Sequence, residues 1–313
     1  MKKISVLIPC YNEQENVVAI SKAVENILMN ELSSYDYEIV FIDNCSTDNT
    51  KPLLRELCKN NKKIKAIFNA RNFGQFNSPY YGLQQCTGDC VISLCCDFQD
   101  PVELIPTLVK KWEEGARIVS AIKTSSDENK LVRFLRTCYY KMIHKMSNVE
   151  QIEHFTGFGL YDKSFIGVLR NLKDPTPFLR GIVAELGFKR VDIPYRQAKR
   201  RGGVTHNNWY SLYDAAMLSF TSYTKVGLRF ATIGGFIVSF ISFVFAIVYF
   251  VAKITNWNHF IAGQIPILIS VLFLGSLQLF FIGFLGEYVM SMNNRIMNRP
   301  LVIEEERINF EEN

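Results

Sequence analysis

The chain has 313 residues, 48% of them hydrophobic, 21% charged and 13% aromatic, with a formal net charge of +5. These values exclude a disordered chain, a collagen-like repeat and a small disulfide scaffold. The length accommodates one large domain or two smaller ones.

From the N-terminus, short apolar runs alternate with helical patterns. Residues 4–8 read as a strand, 15–29 as a helix, 38–42 as a strand ending at Asp43, and 47–59 as a helix opened by a capping pattern. Residues 65–68 form a third predicted strand and 75–85 a helix. A fourth strand at 90–95 ends at Cys96 and Asp97, followed by a helix at 102–114 and a fifth strand at 117–122. Such alternation predicts an α/β domain with a mainly parallel sheet, whose ligands bind beyond the carboxyl ends of the strands. Three polar turns stand there: Pro9-Cys10-Tyr11-Asn12-Glu13, the stretch 43–48, and Asp97-Phe98-Gln99-Asp100-Pro101. No GxGxxG or GxxxxGK[ST] occurs, so dinucleotide-binding and P-loop readings have no support. Carboxylates at strand ends suit a ribose hydroxyl, a base edge or a divalent cation.

All eight cysteines fall within the first 229 residues, without a paired CxxC pattern. That predicts a reduced, cytosolic domain with no structural zinc, and no secretory signal precedes the first strand. Residues 130–146 and 209–225 mix apolar and aromatic side chains with basic ones at helical spacing. Each suits a helix on a bilayer surface or a domain helix with a solvated basic face. The second runs directly into an apolar stretch, which favours the surface.

Between Phe230 and Gly286 the only formally charged residue is Lys253. The runs 230–251 and 261–284 are each long enough, at ~1.5 Å per residue, for a hydrocarbon core of ~30 Å. Joined by a short link holding Trp257, they read as a transmembrane hairpin. Lys225 and Arg229 precede it, and Arg295 and Arg299 follow it. The positive-inside tendency then places both chain ends in the cytoplasm, giving a multi-pass protein of the inner (cytoplasmic) membrane. The expected organisation is a catalytic domain at 1–207, a juxtamembrane helix at 208–229, the hairpin at 230–286 and a cytoplasmic tail at 287–313.

The three turns, together with Arg71-Asn72-Phe73-Gly74, the hairpin, Gly286-Glu287-Tyr288 and Asn298-Arg299-Pro300-Leu301, resemble the motif series of family 2 glycosyltransferases with a GT-A fold. The resemblance is to the polyprenyl-phosphate branch, which includes dolichol-phosphate mannose synthases and bactoprenol-phosphate glucosyltransferases, and it covers nearly the whole chain. It implies a Rossmann-like GT-A domain that transfers a sugar, with inversion, from a nucleotide sugar to polyprenyl (undecaprenyl) phosphate. A UDP-sugar is the first expectation for the donor, and Mg²⁺ or Mn²⁺ for the cofactor. The resemblance assigns Pro9, Tyr11, Glu13 and Asp43 to the nucleoside, and Asp97 and Gln99 to the metal. Arg200, Thr205 and His206 fall to the diphosphate, with Asp97 and Arg200 as catalytic groups; Lys123 and Arg133 fall to the acceptor phosphate. The expected partners are the donor, the lipid and the membrane, with no nucleic acid. A hairpin this short is also able to pack with copies of itself as a homo-oligomer.

The chain departs from the family pattern twice. Cys95 stands where relatives carry the first carboxylate of Asp-x-Asp-x-Gln. Thiols suit softer ions, so the metal would rest on Asp97, Gln99, diphosphate and water. Gly157-Phe158-Gly159 lacks the Asp and Arg of Gly-Asp-Phe-Arg-Leu. A general base is worth roughly 10²–10⁴-fold, but a phosphate monoester, with a second pKa of about 6, is already anionic at neutral pH. The loss therefore favours a phosphate acceptor. Two other readings stand beside it: transfer to a sugar or glycolipid hydroxyl using a base elsewhere, and a nucleotide-binding membrane pseudoenzyme.

Overall fold

The computed structural model describes residues 1–125, 152, 154–172, 174–198, 214, 217–218, 220–222, 226–255 and 264–310. Its elements in chain order begin with β1 (Lys3–Cys10), α1 (Val17–Asn30), β2 (Asp36–Asp43), α2 (Thr50–Asn60), β3 (Ile64–Asn69) and α3 (Gly74–Gln85). There follow β4 (Cys90–Ser93), a 3₁₀ turn (Val102–Leu104), α4 (Ile105–Glu113), β5 (Ile118–Ser125) and β6 (Phe155–Asp162). The chain continues through α5 (Lys163–Asn171), α6 (Leu179–Glu185), β7 (Arg190–Arg196), α7 (Val226–Thr255), α8 (Gln264–Ile296) and β8 (Glu304–Ile308).

One eight-stranded sheet runs β7-β5-β6-β4-β1-β2-β3-β8. The block β4-β1-β2-β3 is parallel, as is the β5–β7 pair. Strand β6 lies antiparallel between β4 and β5, and β8 lies antiparallel on β3. This is the expected α/β arrangement with a mainly parallel sheet. The central strands are largely apolar on both faces because both faces are covered. Along β1, Ile4, Val6 and Ile8 enter the core layer shared with α1, α2 and α4, while Leu7 points into the other layer with α3, α5 and α6. Helix α1 buries Val17, Ile20, Val24, Ile27 and Leu28, a stripe at helical spacing. Each such fully buried aliphatic side chain contributes about 1.5–3 kcal/mol.

Three strands escaped the sequence pattern, each for a physical reason. In β6 the glycines dilute the strand signal, yet Gly159 is required: a Cβ there would meet the Val119 carbonyl oxygen at 2.3 Å. Strand β7 carries Arg190, Asp192, Pro194 and Arg196 along an exposed edge. Strand β8 is almost wholly charged, as suits an edge strand. Its Glu305 and Glu306 reach Lys51 at 2.9 Å and Arg55 at 2.6 Å on α2. The stretch from residue 287 therefore finishes α8 and then supplies the outermost strand.

Helices α7 and α8 have 30 and 33 residues, about 45 and 50 Å at ~1.5 Å per residue. They overrun the predicted apolar segments, and residues 261–263 lie outside those described. Among the described residues one segment, Phe273–Ile296, is long and apolar enough to cross a membrane. Among the described residues, apart from Met1, Met29 and Ile303, every exposed large hydrophobic side chain lies between Ile233 and Met297. Arg295 donates to Ser222 Oγ at 3.0 Å and lies 3.8 Å from Asp174, so the end of α8 touches the globular part. The predicted helix at 130–146 lies outside the described residues. Of 209–225, the described positions are helical.

Candidate active site

The turns after β1 and β2 lock together through side chains. Asn12 N–H donates to Ser46 Oγ at 2.8 Å, and Asn12 Oδ1 accepts from Thr47 N–H at 2.8 Å. Glu13 N–H donates to Thr50 Oγ1 at 2.9 Å, while Glu13 Oε2 accepts from Asn16 Nδ2 at 2.7 Å. Asn44 anchors the turn after β3: its Oδ1 accepts from Phe73 N–H at 2.9 Å and its Nδ2 donates to Asn72 Oδ1 at 2.9 Å. Asn12, Cys45 and Phe98 each take a left-handed backbone, at φ 56°, 65° and 60°. Such residues cost of order 1–3 kcal/mol and persist where their surroundings over-determine them, which is common at functional sites. All three follow carboxyl ends of parallel strands.

The acidic turn after β4 has a buried organiser. Asp100, 2% exposed, accepts from Cys95 N–H at 3.0 Å and from the Tyr195 hydroxyl at 3.0 Å. Asp97 Oδ1 accepts from Gln99 N–H at 3.1 Å, and Gln99 O accepts from Ala198 N–H at 3.3 Å. Burial pushes the Asp100 carboxyl up, against the hydrogen bonds from Cys95 and Tyr195. The neighbouring Asp100 charge holds the Cys95 thiol above its ordinary value. Cys95 is therefore a thiol, a poor ligand for a hard cation.

These turns open into a cavity of about 790 Å³. Pro9, Tyr11, Glu13, Asp97 and Gln99 line it, together with Cys95 and Gly157, the two departures from the family pattern. Gly157 has φ +102°, a backbone that favours glycine. Asp43 lies outside the lining. It is fully buried and accepts from the Ser46 backbone N–H at 3.0 Å and from the Ser46 hydroxyl, and burial raises its carboxyl despite both bonds. Lys123, on β5, is also outside the lining. Arg133, Arg200, Thr205 and His206 lie outside the described residues.

Part of the lining was not legible in the sequence. It is formed by Phe76, Tyr80, Phe178, Leu179 and Arg180, with Phe76 and Phe178 packed edge to face at 5.7 Å. Helix α6 has only seven residues, too short for a periodic signal. Asp214, in the stretch predicted as juxtamembrane, lines the same cavity. Among the described residues no three His, Cys, Asp or Glu side chains gather as a metal cluster. Asp97 and Gln99 supply two hard oxygen donors, a set that suits Mg²⁺ or Mn²⁺ completed by phosphate oxygens and water.

Comparison with solved structures gives glucosyl-3-phosphoglycerate synthase from Mycobacterium tuberculosis, crystallised with Mn²⁺, UDP-glucose and phosphoglyceric acid. It has a TM-score of 0.46 and 15% identity over 70% of this chain and 78% of that one. Mannosyl-3-phosphoglycerate synthase from Rubrobacter xylanophilus has a TM-score of 0.48 and 17% identity over 74% of this chain and 75% of that one. Among curated relatives, the prophage bactoprenol glucosyl transferase homolog of Escherichia coli K12 is 32% identical over 302 residues, 96% of this chain and 98% of the relative. The bactoprenol glucosyl transferase of Shigella phage SfII is also 32% identical, over 96% of this chain and 97% of its own length. The profile of glycosyl transferase family 2 matches residues 5–169. By these matches the chain belongs to glycosyl transferase family 2, and its α/β domain with a mainly parallel sheet has a GT-A-like fold.

Proposed function

We propose that the chain transfers a sugar from a nucleotide sugar, a UDP-sugar in the first instance, to polyprenyl phosphate at the cytoplasmic face of a membrane. The observation that carries this is the cavity's position. Asp97 and Gln99 share it with Asp214, twelve residues ahead of α7, where the long apolar helices begin. A phosphate on a membrane lipid and a soluble nucleotide can meet there. Near-full-length similarity to proteins named bactoprenol glucosyl transferase supports the same acceptor. In this reading α7 and α8 form the transmembrane hairpin, residues 1–207 with β8 form the cytoplasmic catalytic domain, and residues 208–229 join them at the surface.

The chemistry asks for little acid–base help. An anionic phosphate oxygen of the lipid attacks the anomeric carbon as the bond from that carbon to the diphosphate oxygen breaks. The configuration inverts, and nucleoside diphosphate leaves. Positioning and charge stabilisation then carry the rate. Pro9, Tyr11 and Glu13 bound the nucleoside side of the cavity, with Asp43 fixing the β2 turn from beneath. Asp97 and Gln99 would hold Mg²⁺ or Mn²⁺, which supplies charge neutralisation for the departing diphosphate. Asp100 and Tyr195 hold the turn that presents Asp97 and Gln99. We assign Arg200, Thr205 and His206 to the diphosphate and Lys123 and Arg133 to the acceptor phosphate.

The test is incubation of membranes carrying the protein with a panel of UDP- and GDP-sugars and undecaprenyl phosphate, followed by mass analysis of the lipid. A glycosyl-phosphoryl-undecaprenol is expected. Sugar found only on a hydroxyl acceptor, or nucleotide bound without turnover, would overturn the proposal.

A further inference from the structure

We infer that Arg180 binds a substrate phosphate in the cavity, an inference that rests on the glycosyltransfer proposed above. Glu13, Asp97, Asp100 and Asp214 make the lining acidic, and among the described lining residues Arg180 is the only cation. Despite those carboxylates, no ion pair joins it to any of them among the described residues. Its one hydrogen bond among the described residues is from Nη2 to the Thr156 carbonyl at 3.5 Å, at the far limit of such a bond. A half-buried guanidinium has five donors in a rigid fork. Among the described residues the remaining donors meet no protein acceptor. The fork fits two oxygens of one phosphate, a geometry a lysine does not reproduce.

The surroundings fix where the guanidinium sits. Its neighbours Phe178, Ile182 and Val183 are buried, and Phe178 packs against Phe76 from α3. The residue that receives its hydrogen bond also connects to the acidic turn. The Thr156 hydroxyl lies 3.4 Å from the Tyr195 hydroxyl, which donates to Asp100 at 3.0 Å. One connected framework thus links the cation to the Asp97–Gln99 turn in the lining of the same cavity. A phosphate in this cavity would find the protein's positive charge at Arg180 and the two oxygen ligands at Asp97 and Gln99. Two substrates offer such a group, the donor's diphosphate and the lipid's phosphate.

The test compares full-length wild type with R180A and R180Q in the lipid-product assay, measuring kcat and the KM for each substrate separately. Calorimetric binding of UDP with Mg²⁺ and a thermal melt accompany it. The expected result is at least a tenfold rise in the KM of one substrate, with a melting temperature within about 2 °C of wild type. A raised donor KM with weakened UDP binding assigns the diphosphate. A raised acceptor KM with unchanged UDP binding assigns the lipid phosphate. Kinetic constants within twofold of wild type overturn the inference. So does loss of folding in both variants, which marks Arg180 as structural. If wild type turns over no donor, the glycosyltransfer proposal fails by itself, and the inference then fails as well unless UDP binding weakens in R180A or R180Q.

Discussion

Replacing Glu38 by Gln tests how the sheet is held at the end remote from the cavity. Glu38 is 1% exposed at the start of β2. It meets Lys3 at 2.9 Å and Lys65 at 2.8 Å, and accepts from Ser5 Oγ at 2.6 Å and Thr87 N–H at 2.7 Å. Burial alone would raise its carboxyl, but the bonds from Lys65, Ser5, Lys3 and Thr87 outweigh that and hold it at about 2, against an ordinary 4.5. A carboxyl lowered by that much contributes about 3 kcal/mol at neutral pH. The sign follows from the lowered value: the contribution is complete above about pH 5 and fades as pH falls towards 2, leaving about 1 kcal/mol at pH 3. At 2–4 °C per kcal/mol for a domain of this size, E38Q should melt about 6–12 °C below wild type at pH 7. The gap should shrink by more than half at pH 3, while turnover at a permissive temperature stays unchanged. Thermal melts of detergent-solubilised full-length protein across pH 3–7 read this directly. A shift under 2 °C at pH 7, or a gap that does not narrow on acidification, would refute the reasoning.

Other expectations concern the site and its frame. D97A should lower turnover by about 10²–10³-fold, the usual scale for losing one charge-stabilising contact; in the same rate assay, wild type should lose activity in excess chelator and regain it with Mg²⁺ or Mn²⁺. Y195F removes a donor from buried Asp100, which should cost about 1–3 kcal/mol in a melt and slow turnover by loosening the turn that holds Asp97. G159A drives a Cβ to 2.3 Å from the Val119 carbonyl, so it should cost about 1–3 kcal/mol and show as a lower melting temperature, with the β5–β6 pair as the first region to gain hydrogen exchange. Deleting residues 302–313 strips β8 from β3 and should yield a protein that aggregates in size-exclusion chromatography where full-length chain does not.

The parallel half of the fold was legible because its strands are buried on both faces and its helices are long enough to show their period. Ile4–Ile8 and Val17–Leu28 are of this kind. The turns at Pro9–Glu13 and Asp97–Pro101 were legible because topology puts ligand sites at strand ends, whatever the ligand. What stayed hidden is stabilised by partners distant in sequence. Gly159 makes sense only beside Val119, and Glu304–Ile308 only beside β3 and α2. Arg180 sits on a helix of under two turns, and its neighbours reach the cavity from four different elements. Asp43 shows the converse: the pattern located it correctly at a strand end, but only packing reveals that its side chain turns inward to Ser46.

The last strand of the sheet also sets an order of events in time. Strand β3 is made early, yet its outer partner β8 emerges only after α7 and α8, roughly 10–50 s later at ordinary translation speeds of ~5–20 residues per second. Throughout that interval the nascent domain carries an open edge, the kind of surface that invites wrong pairing. The edge closes only when both long helices have been made and the chain beyond them has reached β3. The strand that completes the sheet thus makes the catalytic domain's last edge depend on the chain that follows both long helices.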